Sequence, residues 1–159
     1  MKKLSFLFII FCSFILVGCQ LVNQPSGKLG QPPTVHMEIS GQEYPTILGA
    51  YCWHNKNRAE CTDTAGPIEL AQDKEPIQVG PGEQITFIIN YMEPDSELLE
   101  QFNTPSYEDV TAIKISDDSF EAPLEEGIYY YSYSLTWTDK GSANNSYGDA
   151  VYAFALEVK

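Results

Sequence analysis

The chain has 159 residues, enough for one ordinary domain with a usable apolar core but not for two. Ten Tyr and eight Phe, in a chain without Ala-, Glu- and Lys-rich stretches, favour pleated structure over helices. The net charge is −13; Lys2 and Lys3 are two of the nine basic residues and no acid precedes residue 19, so the remainder carries −15, which repels phosphate backbones and excludes nucleic acid as a partner.

In chain order, Met1-Lys2-Lys3 is a short positive start and Leu4 to Val17 an almost wholly apolar run, the pattern of a signal peptide. The run is shorter than the roughly 20 apolar residues a spanning helix needs. It ends in Leu16-Val17-Gly18-Cys19, which resembles the lipobox of bacterial lipoproteins. That resemblance implies a diacylglyceryl group on Cys19, cleavage after residue 18, and a chain held at the outer face of the plasma membrane. Two acyl chains exceed the limit of reversible single-chain binding, so such an anchor lasts. Cys12 lies within the apolar run and needs no role.

Residues 19–33 turn to Gln, Asn, Pro, Ser and Gly, a composition that cannot offset the entropy of folding and predicts a flexible tether. A single domain is expected over 34–159. Val35, Met37 and Ile39 alternate with polar residues, Ile47 to Trp53 forms a second apolar stretch, and Ile85, Phe87, Ile89 and Tyr91 alternate in a third. Val79-Gly80-Pro81-Gly82-Glu83 and Glu93-Pro94-Asp95-Ser96 are turn signals around that third strand. Val110 to Ile115 reads as another strand, and Ser96 to Phe102 as the one place for a short helical turn. Gly127 to Thr138 and Asp149 to Val158 read as a long hairpin around a polar loop.

Seven or so strands with turns about every ten residues predict an all-β domain, a single antiparallel β-sandwich. The stretch Glu126-Gly127-Ile128-Tyr129-Tyr130-Tyr131 resembles the entry to a late strand in immunoglobulin-like and fibronectin-like domains. The likeness implies that the Tyr129 hydroxyl bonds back to the preceding connection. The inter-sheet Cys pair and strand-C Trp of antibody domains are not in their places. The mature part also resembles small Gram-positive surface lipoproteins, through Tyr51-Cys52-Trp53, Cys61, Pro81-Gly82-Glu83 and the segment Gly148 to Phe154; that family implies no activity.

Chemistry is sparse. The histidines are His36 and His54, with no base-orienting partner visible, and no nucleophile elbow, phosphate loop or His-Glu-x-x-His motif occurs. Cys52, His54 and Cys61 are the one cluster with ligand types suited to zinc or copper, but a fourth ligand is missing. Outside the cell a Cys52–Cys61 disulfide is the simpler state, and closing so short a loop stabilises by roughly 2–3 kcal/mol. Asp117-Asp118, Glu125-Glu126 and Asp139 with Asp149 gather acids without the ladder of a calcium loop. No catalytic residue, metal or cofactor is therefore expected.

Parity of the final hairpin puts Tyr129, Tyr131, Tyr133, Leu135 and Trp137 on the core side with Tyr152, Phe154, Leu156 and Val158. The opposite face, with Tyr130, Ser132, Ser134, Ala153 and Ala155, is then flat and uncharged, the expected contact surface for an extracellular protein or cell-wall partner. The expected function is a membrane-anchored, non-catalytic binding or interaction module. Its rivals are a calcium-stabilised or wall-associated spacer and a hydrolase without a recognisable motif.

Overall fold

A computed structural model describes residues 31–55, 58–103, 105–138 and 146–159. The lipobox with Cys19, and the hairpin tip with Asp139, lie outside the described residues.

Two sheets face each other, and every pairing within them but one is antiparallel. The smaller has the order β2 (Gln42–Pro45), β1 (Val35–Ile39), β6 (Gln84–Ile89), β9 (Ser119–Glu121). The larger runs β4 (Arg58–Thr62), β3 (Ile47–Asn55), β11 (Ser146–Val158), β10 (Gly127–Thr138), β7 (Ser96–Phe102), β8 (Val110–Ile113). A short β5 (Ile77–Val79) pairs parallel with the end of β11. The expected β-sandwich is therefore the fold.

The expected alternation builds the core: Val35, Met37 and Ile39 of β1 and Ile85 and Phe87 of β6 are buried, as are Tyr131, Tyr133, Leu135 and Trp137 of β10 and Tyr152, Phe154, Leu156 and Val158 of β11. Aromatic rings join the sheets. Phe87 stacks on Tyr133 with centroids 3.9 Å apart, and Phe120 of β9 leans on Tyr131 at 5.5 Å. Such pairs add about 0.5–1.5 kcal/mol beyond their burial. Three tyrosine hydroxyls of this core find close partners: Tyr131 donates to Gln101 Oε1 at 2.9 Å, Tyr133 to Glu97 Oε2 at 2.6 Å and Tyr152 to the Pro33 carbonyl at 2.6 Å. Burial pushes all three hydroxyls well above the usual phenol range, so they remain neutral donors at any physiological pH.

The Tyr152 bond also ties down the entry of the chain. Pro32 and Pro33, assigned by composition to the tether, are buried against the domain. Trp53 lies over Gly148, where a Cβ would sit 2.1 Å from its ring, so the close approach of β3 and β11 requires glycine. Gly82 adopts φ +69° after Pro81, and Glu83 N–H donates to the Gly80 carbonyl at 3.1 Å, the turn expected before β6. The Tyr129 hydroxyl donates to the Glu125 carbonyl at 3.0 Å, the back-bond that the strand-entry resemblance implies.

Two expectations about helix and strand fail. Ser96–Phe102 is strand β7 rather than a helical turn. Its apolar residues, Leu98, Leu99 and Phe102, have helix-like spacing, but seven consecutive residues pair with β10, and that tertiary ladder overrides local preference. Conversely, a helix α1 (Pro67–Gln72) forms where none was expected, opening with Pro67 after Gly66, with Leu70 N–H donating to the Gly66 carbonyl at 3.0 Å. It is six residues long and no helix among the described residues is long and apolar enough to cross a membrane.

Candidate interaction surface

The outer face of the larger sheet can be built up from its registers. Ser132 stands opposite Ala153, Tyr130 opposite Ala155 and Ser134 opposite Val151, as parity requires. On the other side of β10, Ser132 faces Glu100, Ser134 faces Leu98 and Tyr130 faces Phe102. The small side chains are indeed on one face, but that face is not open. Ser132 is 5%, Ala153 0% and Ala155 7% exposed.

Helix α1 contacts β10, β11 and β3, and buries its own Ile68 and Ala71. The flat stripe of Ser132, Ala153 and Ala155 is thus a seat for a helix, which corrects the expectation of a free contact surface there. Small side chains let the helix approach the sheet closely. The loop between β7 and β8 closes the cover further: Tyr107 packs edge-on to Phe102 at 5.4 Å, and its hydroxyl donates to Glu69 of α1. The bond holds the Glu69 carboxyl below its ordinary range. Of the expected contact residues, only Tyr130 and Ser134 are partly open.

Along the margin formed by β7, β8 and the loop between them, the outer face carries exposed large apolar side chains on either side of Glu100. Leu98 is 46%, Val110 45% and Tyr107 48% exposed. Neither Leu98 nor Val110 stood out in the sequence as a surface residue, because Ser96 to Phe102 read as a helical turn and Val110 to Ile115 as a strand whose exposed side was not assigned.

The remaining candidates fall elsewhere. Cys52 and Cys61 stand directly opposite each other on β3 and β4 and form the expected disulfide, with Cα atoms 4.1 Å apart. Their sulfurs are therefore committed to each other and not to a metal, and Trp53 beside Cys52 is buried against Trp137 with centroids 5.2 Å apart. His54 is exposed on β3, and His36 lies 3.9 Å from Glu43 across β1 and β2. Among the described residues no three His, Cys, Asp or Glu side chains gather as a metal site. Asp117 and Asp118 instead form a two-residue hairpin turn with φ of 52° and 58°, closed by reciprocal backbone bonds between Ser116 and Ser119. Compared with known proteins, the chain matches no family model, no curated protein and no solved structure.

Proposed function

We propose that the chain is an exported lipoprotein, anchored through Cys19 to the outer face of the plasma membrane, whose β-sandwich is a non-catalytic binding or interaction module. The observation that carries the interaction reading is the exposed apolar margin of Leu98, Tyr107 and Val110. Tyr107 packs on Phe102, which Val110 faces, and Leu98 stands further along β7 beyond Glu100; large exposed apolar side chains along one margin of an acidic domain support a surface that is covered in use. The anchoring reading is supported by Lys2 and Lys3, the apolar run and Leu16-Val17-Gly18-Cys19.

Metabolic labelling with a fatty-acid analogue tests the anchor. Label should enter the wild-type chain and be lost in Cys19→Ala, which should also leave the membrane fraction; persistent label and membrane retention in that variant would overturn it. A photo-reactive residue in place of Leu98, in intact cells, tests the surface. Cross-linking should exceed that from the same residue at Asp63, and equal yields would remove the assignment.

A further inference from the structure

The larger sheet overhangs the smaller one. Strand β8 is its margin, and the smaller sheet stops at β9, leaving between them a groove of about 340 Å³ bordered by Ile113, Lys114, Phe120 and Glu121. Val110, Thr111 and Ala112 are exposed and Ile113 half-buried, so this strand is uncovered on its outer face and along its edge, and on its inner face at Thr111. Its backbone groups divide cleanly. Asn103 N–H donates to the Asp109 carbonyl at 3.2 Å, and the direct opposition of Gln101 to Thr111 and Leu99 to Ile113 continues that phase. Asp109, Thr111 and Ile113 therefore bond inward to β7, and Val110 and Ala112 point their N–H and C=O groups outward.

Exposed edges are ordinarily blunted by charge, proline or shortness. Among the described edge strands, β2 carries Glu43 and Pro45, β4 carries Arg58 and Glu60, and β5 and β9 have three residues each. Strand β8 reads Val-Thr-Ala-Ile: at four residues it is as short as β2, but it holds neither a charged residue nor a proline, and its nearest charges, Asp109 and Lys114, flank it.

We propose that β8 pairs with β8 of a second copy of this chain, antiparallel about a two-fold axis, to join the two larger sheets edge to edge. Such an axis stands perpendicular to the sheet, so opposed residues must share a face. Centring it on Thr111 sets Thr111 opposite Thr111 of the second copy, a favourable pair. Val110 and Ala112 then stand opposite Ala112 and Val110 of the second copy, and their outward backbone groups exchange hydrogen bonds. The same register brings Lys114 of each copy to the end of the other strand, where Glu108 and Asp109 supply the opposite charge. Centring on Ala112 would set Lys114 against Val110 and lose that match. The net charge of −13 opposes approach of two copies, but at physiological salt screening over about 8 Å leaves the charges beside the contact to decide. This pairing does not depend on how the chain is held at a membrane.

Thr111 at the axis occupies a non-hydrogen-bonded site on the outward edge, where opposed Cα atoms lie about 4.5 Å apart, the kind of spacing at which Cys52 and Cys61 are already bridged. The test is mild oxidation of full-length Thr111→Cys in whole culture, read on non-reducing gels beside the wild type and Asp63→Cys, an exposed site near α1. A reducible homodimer should form at least tenfold above both. Adding Ala112→Pro, which removes an outward N–H and leaves the β7 bonds intact, should lower its yield at least tenfold, with Cys52–Cys61 still mapped as joined. Lys114→Glu in the Thr111→Cys background changes no backbone group and should lower the yield several-fold. A dimer yield no higher than that of Asp63→Cys, linkage to a different protein, or yields unchanged by both added substitutions would overturn the proposal.

Discussion

Glu83 shows how one carboxylate can hold two turns together. Its Oε1 accepts from the Ser40 hydroxyl at 2.5 Å in the β1–β2 turn, and its Oε2 accepts from Gly80 N–H at 2.7 Å in the turn before β6. The bond from Ser40, then that from Gly80, holds its carboxyl below the ordinary range. A carboxylate with a depressed folded-state pKa stabilises the fold above its unfolded value of about 4.3, and the contribution is lost as pH falls through the folded value. Glu83 is largely solvated, so the effect is small. Urea midpoints at pH 6 and pH 3 should show Glu83→Gln less stable than wild type at pH 6 and the gap narrowed at pH 3. A gap of constant size would show that the charge plays no part.

At the scale of elements, α1 decides what the outer face of the larger sheet can do. Ala153 is 0% exposed beneath the helical cover, whereas Ser134, one residue pair along the same face, is half open. Ala153→Lys must either bury an ammonium or lift α1 off the sheet, and should cost more than about 3 kcal/mol, the range of an unpaired buried charge or a lost packing layer. Ser134→Lys should stay within about 1 kcal/mol, since its side chain can reach water. Thermal melts of the two variants check this. Equal, small losses in both would mean that the cover is not held in solution.

At the scale of the whole molecule, the two sheets are joined by rings. Phe87 of the smaller sheet meets Tyr133, Phe120 and Phe154, two of which belong to the larger. Truncating it removes the contact from both sheets at once, so Phe87→Ala should cost about 3–5 kcal/mol. Because one core serves both sheets, the loss should appear as a single transition displaced to lower denaturant, seen alike by tryptophan fluorescence and far-ultraviolet dichroism. Separate transitions would show that the sheets unfold independently.

Residue order was sufficient wherever period-2 alternation was strong. Val35 to Ile39, Gln84 to Ile89 and the Gly127–Thr138 strand announce both their conformation and their buried side, because a strand face is fixed by parity alone. The Cys52–Cys61 bridge was legible from spacing and from the compartment the sequence leads one to expect, and the Gly80–Glu83 turn from its glycines and proline. What lies against a face is not a property of that face. Ser132, Ala153 and Ala155 look like solvent-facing residues in sequence, and only the docking of α1, from a segment between β4 and β5, makes them interior. Ser96–Phe102 likewise became a strand because β10 offered it seven partners. The bare edge of β8 is the same kind of fact: the β-branched residues of Val-Thr-Ala-Ile favour a strand, but which strand ends the sheet is settled by the order of all the others.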